Sequence, residues 1–392
     1  MNPQADWLRS LFLLRPDVAF LNHGSFGACP KPVFDAYQAF QRELEDEPVE
    51  FLGRRYGTLM KQARTDLAEY LGAAADDVVF VPNATTAINT VAKSLELQPG
   101  DEILSTNIEY GALDRTWEDI CERVGASYVR QAVTLPVTDR KTTADEIWSG
   151  FSKRTRVLFV SHITSCTALT LPIEPLIERA KAAGITTIVD GAHACGQIPL
   201  HLESLGADYY TGNCHKWMLA PKGCAFLYAR REAQDAIRPL VTSWDDIAAT
   251  DSRFVREMEY QGTSDISAYL TISAAIEFMH EHDWDTVHER CHELVNVYRA
   301  GMREITGLPS LSPDGLDWYA HMSAHPLPPC DGSALHLALF DEHLVEIPVS
   351  RGPGGTDFIR ISVQAYNTRD DVDRALEGVR DLLPRFVAAA VS

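Results

Sequence analysis

The chain has 392 residues, 45% of them hydrophobic and 23% charged, a composition that supports a sizeable core and more than one ordinary globular domain. Lys and Arg number 35 against 55 Asp and Glu, for a formal charge of −20; this speaks against a nucleic-acid or anionic-membrane surface and leaves a small molecule as the default ligand. Eight scattered cysteines without a C-x-x-C pair read as reduced thiols in a cytoplasm, because a chain of this length does not need disulfide staples.

The first apolar block, LFLL (11–14), is too short for a signal peptide, and no later run approaches the length of a membrane-spanning helix. The first clear unit is DDVVFVPNATTAINTVAKSLELQPGDEILST (76–106), which predicts a strand, a polar turn, a helix and a second strand. In that turn Asn83, Ala84 and Thr85 stand at the head of the helix. Free amides and the positive end of the helix dipole suit an anion there, although Asn83 serving as a plain N-cap explains the turn equally well. Asn83-Ala84-Thr85 also fits a glycosylation sequon, which carries no weight without signs of secretion.

VLFVSHI (157–163), ITTIVDGA (185–192), ADYYTG (207–212) and GCAFLYA (223–229) predict buried strands. Between the first two, LPIEPLIERAKAAG (171–184) has the apolar spacing of a helix and closes on Gly184, the pattern of a βαβ crossover. A parallel sheet covered on both faces follows, with ligands expected beyond the carboxyl ends of its strands. Asp190 ends one such strand and Lys216 lies just past another. Taken singly, Asp190 reads as a helix cap and Lys216 as a lysine whose stem lies along apolar surface. Taken together with the anion cradle at 83–86, they meet the needs of pyridoxal phosphate (PLP): an amine for its aldehyde, an acid for its ring nitrogen and a seat for its phosphate.

Beyond about residue 270 the pattern shifts to two helical stretches (271–306), a proline-rich linker, HMSAHPLPPCDG (321–332), and strand signals ending at DFIRISV (357–363). Within the helices, His288 to His292 spells H-E-x-x-H. Its charged flanks read as a solvated helix face, and no metal is expected. RGPGG (351–355) lacks the spacing of a dinucleotide fingerprint and reads as a turn over the site.

TGNCHKW, VDGAH, NATTA, EYGA, SHITSCTAL, YQGTSD and FIRISVQAYNT together resemble the class V branch of the aspartate-aminotransferase fold. LNHGSFGACPKPV and EPVEFLGRRY resemble, more narrowly, its isopenicillin N epimerase-like branch. The resemblance runs from about Leu21 to Leu383. It implies the α/β fold of PLP-dependent transferases, fold type I, with three parts. Residues 1–45 form an N-terminal segment packed on the small domain, 46–270 the large PLP-binding domain with a mostly parallel seven-stranded sheet, and 271–392 a smaller α+β C-terminal domain.

The resemblance also implies roles. Lys216 is the Schiff-base lysine, Asp190 the partner of the pyridine nitrogen, His193 a neighbour of the ring and its 3′-oxygen, and Tyr110 the aromatic stacked on the ring. Ala84, Thr85, Asn213 and His215 contact the phosphate, Thr263 reaches the phosphate of a neighbouring subunit in a homodimer, and Ser165 lies beside the cofactor. Arg360 clamps the substrate carboxylate, while Asn22, His23 and Arg54 face the substrate. The family's desulfurases carry a nucleophilic cysteine shortly before the carboxylate arginine, whereas no cysteine lies between Cys330 and Arg360 here; persulfide chemistry is therefore disfavoured. What remains is epimerisation or racemisation at an amino-acid Cα, C–S lysis of a cysteine conjugate or sulfoxide, or, less favoured, transamination.

Overall fold

A computed structural model describes residues 3–390. A two-residue strand, β1 (Ala19–Phe20), precedes the main sheet, which is built from β2 (Val78–Val81), β3 (Glu102–Thr106), β4 (Ser127–Gln131), β5 (Thr155–Ser161), β6 (Thr186–Asp190), β7 (Tyr209–Gly212) and β8 (Ala225–Ala229). These seven strands lie in the order β2-β8-β7-β6-β5-β3-β4. Alternate residues of each strand enter opposite cores: Val79, Ile103, Val157, Phe159 and Leu227 meet the helices Ala84–Ser94 and Gly111–Val124. Phe80, Leu104, Leu158, Val160 and Phe226 meet Tyr56–Leu71 and Ile173–Ala183 on the other face. Burial on both sides explains why these strands read as nearly continuous apolar runs.

The sheet is parallel from β7 through β4, but β8 runs antiparallel to both β7 and β2. The sheet is thus mostly, not wholly, parallel, as the resemblance implied. No crossover helix separates β7 from β8, so residues 213–224 turn the chain back at the carboxyl end of β7. Lys216 lies in that reversal. Register pairs Ser161 with Asp190 and Asp190 with Thr211, which aligns three polar groups along the same sheet edge.

The C-terminal part contains β9 (Met322–Pro326), β10 (Val345–Glu346), β11 (Val349–Arg351) and β12 (Asp357–Ser362). β11, β12 and β9 form an antiparallel sheet. Residues 322–326, which the prolines mark as linker, are thus an edge strand; Pro326 is tolerated because β9 pairs on one side only. RGPGG forms the turn between β11 and β12, with positive φ at Gly354 and Gly355. The N-terminal segment joins this region: β1 pairs with β10, and Ser362 N donates to Leu21 O at 2.8 Å.

One buried ion pair holds the helices beneath β2. Arg64 and Glu259 bond side chain to side chain, and Arg64 Nε donates to Ala75 O at 3.0 Å. Burial raises the Glu259 carboxyl above its ordinary range despite Arg64. Removing one partner strands a buried charge, so Arg64→Ala is expected to cost about 3–5 kcal/mol of stability. Replacing both residues by Met should restore most of it, as read from denaturation midpoints.

Candidate active site

A cavity of about 510 Å³ opens at the carboxyl edge of β5, β6 and β7, and Lys216, Asp190, His193, Asn213, Thr85, Tyr110 and Arg360 are among its lining residues. Asp190 enters because β6 ends there. Its Oδ1 accepts from Ala192 N at 2.9 Å, the one hydrogen bond that its carboxylate receives among the described residues, and burial raises its pKa while Lys216 opposes the rise. Beneath it, the buried Glu109 accepts from Thr106 Oγ1 at 2.7 Å and Ser161 N at 2.9 Å. Desolvation pushes Glu109 up to about 8, and the Asp190 charge adds to the rise. Desolvation and the Asp190 charge thus both favour the protonated form of Glu109.

Lys216 extends from the β7–β8 reversal, with Nζ 3.2 Å from His193 Nε2. Burial, helped by the Arg360 charge, brings its pKa down to about 8, although Asp190 works against the fall. A lysine so placed is partly neutral near physiological pH and can act as a nucleophile.

At the helix head, Asn83 Oδ1 caps Thr86 N at 2.8 Å, and Asn213 Oδ1 accepts from Ala84 N at 2.9 Å. Asn83 thus acts as the helix N-cap, and Ala84 and Thr85 line the cavity at the positive end of that helix, a position that favours an anion. His215 Nδ1 bonds to Cys224 O at 3.0 Å, and burial lowers its pKa to about 4. A carbonyl only accepts, so Nδ1 carries the proton, and a neutral His215 offers a lone pair at Nε2; an oxyanion bound there would draw a second proton onto the ring.

Arg360 is buried, and no carboxylate pairs with it among the described residues. Nη1 donates to Ser165 O at 2.6 Å and Ser165 Oγ at 3.2 Å, Nη2 donates to Ser25 Oγ at 3.3 Å, and Nε has no partner. Desolvation lowers its pKa to about 10. A guanidinium held in this state calls for an anionic ligand. Ser165, expected beside the cofactor, is therefore first of all a support for Arg360.

Asn22, His23, Arg54 and Thr263 do not line this cavity. Asn22 acts one step back: it bonds to Glu346 Oε1 at 3.0 Å and accepts from Ser25, which in turn contacts Arg360. His23 is turned into the core between Tyr366 Oη and Lys216 O, each at 2.9 Å, and burial lowers its pKa to about 3. It fastens the lysine's backbone instead of facing a substrate. Arg54 is exposed and pairs with Glu47 at 2.8 Å, and Thr263 lies exposed on the surface. Sequence reasoning passed over Ser25 and Phe26, although both stand inside the LNHGSFG block. Gly27 explains that block's shape: at φ +71° an added Cβ would sit 2.0 Å from His215 O, so the N-terminal turn presses directly on the lysine loop.

The H-E-x-x-H helix is not a solvated face. His288 and His292 are half-buried and line a second cavity of about 840 Å³ with His162, His321, Gln197 and Glu289. Cys195, Cys214 and Cys224 are buried, and burial pushes Cys195 and Cys214 far above their ordinary range.

Open sheets gather their chemistry at the strand ends, and a depressed lysine facing a buried carboxylate at that edge places the protein among the PLP-dependent enzymes of fold type I. Residues 21–375 match the family model for aminotransferase class V, and the chain belongs to that family. It is 34% identical to isopenicillin N epimerase of Streptomyces clavuligerus over 391 residues, covering 96% of this chain and 98% of that one. It is 27% identical to a probable chloroplastic L-cysteine desulfhydrase of Arabidopsis thaliana, covering 94% and 83%. Among solved structures, a C-DES mutant with glycine covalently linked to its PLP cofactor superposes with a TM-score of 0.82 at 22% identity, covering 95% of this chain and 99% of that one.

The site residues fit PLP. Among the described residues one Asp190 carboxylate oxygen has no hydrogen-bond partner, and Thr85 at the helix head and Lys216 line the same cavity. In the apoenzyme, condensation of Lys216 with an aldehyde should be half-maximal near pH 8, since the neutral amine dominates above its lowered pKa. Lys216→Ala should abolish the reaction. A rate that keeps rising to pH 10 would show an unperturbed lysine.

Proposed function

We propose that the protein is an epimerase or racemase acting at the Cα of an amino acid, with PLP bound through Lys216. Similarity over almost the whole chain to an epimerase supports the reaction, and the unpaired Arg360 beside Lys216 is the observation that carries the substrate class. Bound PLP supplies an electron sink that acidifies the Cα–H of an attached amino acid.

The remaining work falls to the chain. Arg360 offers its guanidinium charge to the substrate carboxylate, while Ser165 and Ser25 hold the guanidinium plane. Asp190 keeps a proton on the ring nitrogen by placing its charge against it. Lys216, neutral once its amine is released, takes the Cα proton on its own side of the cavity. Epimerisation needs a donor on the opposite side. His193 touches Lys216 Nζ and His23 is engaged with Tyr366 and Lys216 O, which leaves Tyr110, half-exposed at the mouth, for that role.

A C–S lyase is the second reading. Among the described residues no hydrogen bond fixes the Tyr110 hydroxyl, lysis requires only Lys216, and a probable L-cysteine desulfhydrase is among the relatives. The working form in either case is a cytoplasmic homodimer, in which the exposed Thr263 reaches the phosphate of the neighbouring site.

Incubating the holoenzyme with amino acids in deuterated water separates the readings: Cα deuterium with loss of optical activity is expected, and pyruvate with a released thiol would replace epimerisation by lysis. Tyr110→Phe should slow racemisation at least 10-fold while sparing Cα–H exchange of the substrate enantiomer. Arg360→Gln should raise KM about 10- to 100-fold, the loss of one charge-assisted contact.

A further inference from the structure

Trp217 follows the lysine in sequence and is fully buried. Its indole Nε1 lies 3.3 Å from His193 Nδ1. An indole nitrogen only donates, so His193 Nδ1 accepts, and a neutral imidazole must then carry its proton on Nε2. Burial keeps His193 neutral, with the charges of Lys216 and Arg360 acting in the same direction. The nitrogen bearing the proton is the one 3.2 Å from Lys216 Nζ.

The indole has little freedom to release this bond. The His23 ring lies 5.0 Å from it at a tilt, and the His321 ring meets it edge-on at 5.5 Å. Gly196 closes in behind, where an added Cβ would sit 2.5 Å from the Trp217 carbonyl carbon. From the other side, Gln197 Nε2 donates to His193 O at 2.6 Å and fixes the backbone of the imidazole.

We propose that Trp217 is a positioning residue that holds His193 as the Nε2–H tautomer, so that a hydrogen-bond donor always faces Lys216 and the cofactor site. An ammonium group has only donors, so this contact is favourable only when Lys216 is a neutral amine. The indole therefore helps keep the lysine nucleophilic through the intervening His193. When Lys216 is engaged elsewhere, the same N–H would be available to an acceptor in the cavity. Phe at position 217 would preserve the ring packing and delete the donor. His193 could then adopt the Nδ1–H tautomer, whose Nε2 lone pair accepts from an ammonium and stabilises it. The other groups facing this pair, Asp190, Arg360, Cys195 and His23, are unaltered by that change.

The inference rests on Lys216 and His193 being site residues and is independent of which reaction follows. Its test is a long-range ¹H–¹⁵N correlation spectrum of histidine-labelled apoenzyme at neutral pH, with His193 assigned by its loss in His193→Gln. The expected wild-type pattern is Nε2–H, changing to Nδ1–H or a mixture in Trp217→Phe. In parallel, the pH of half-maximal condensation between Lys216 and PLP should rise in that variant by about one unit. A wild-type Nδ1–H pattern overturns the proposal even if the variant fails to fold, as does a folded variant that retains Nε2–H. A wild-type apoenzyme whose Lys216 does not condense with PLP would instead sink the functional reading, because the tautomer is read without the cofactor.

Discussion

Lys216 and Arg360 bring two cationic groups into one desolvated cavity, with Asp190 as the carboxylate that lines it. Charges crowded into low dielectric are relieved by losing a proton or gaining a counter-ion. An arginine cannot readily do the first, so Arg360 must recruit an anion, while the lysine yields its proton. The imidazoles around them, His23, His193 and His215, are driven neutral by the same desolvation. The site is thus polarised toward a ligand that brings negative charge to the helix head and to Arg360.

The fold supplies the geometry for this by a single irregularity. A uniformly parallel sheet would have led residues 213–224 away through a crossover, whereas the antiparallel β8 returns them along the edge where Asp190 and Ser161 end. The short return is held by backbone bonds, His215 N to Cys224 O at 3.0 Å and Ala220 N to Cys214 O at 3.1 Å. Lys216 is therefore presented by a braced loop, which favours precise placement of its amine.

Much of this was legible in the residues. Runs such as ITTIVD announce buried strands, and a charged residue ending such a run marks the sheet rim, so Asp190 and Lys216 could be paired before any geometry was known. Strand direction was not legible, since apolar burial has the same pattern whichever way a strand runs; β8 needed the structure. β9 was hidden because prolines dominate its neighbourhood, although only Pro326 lies within it. His23 and Asn22 show a different limit. Their motif identified the right region, but whether a polar side chain faces the cavity or backs the residues that do depends on packing that spacing cannot encode. The same holds for His288 and His292, whose charged neighbours concealed a cavity wall.

The bonds that fasten Lys216 span the chain. His23 joins Lys216 O to Tyr366, Ser362 N reaches back to Leu21 O, and Asn367 Nδ2 donates to Phe20 O at 3.0 Å. Residues made early in synthesis thus wait for residues made more than 300 positions later, as the 343-residue separation of His23 and Tyr366 requires. Contacts of such sequence separation form late. The sheet and the lysine loop are thus encoded entirely upstream of Tyr366 and Asn367, the residues that complete their bracing.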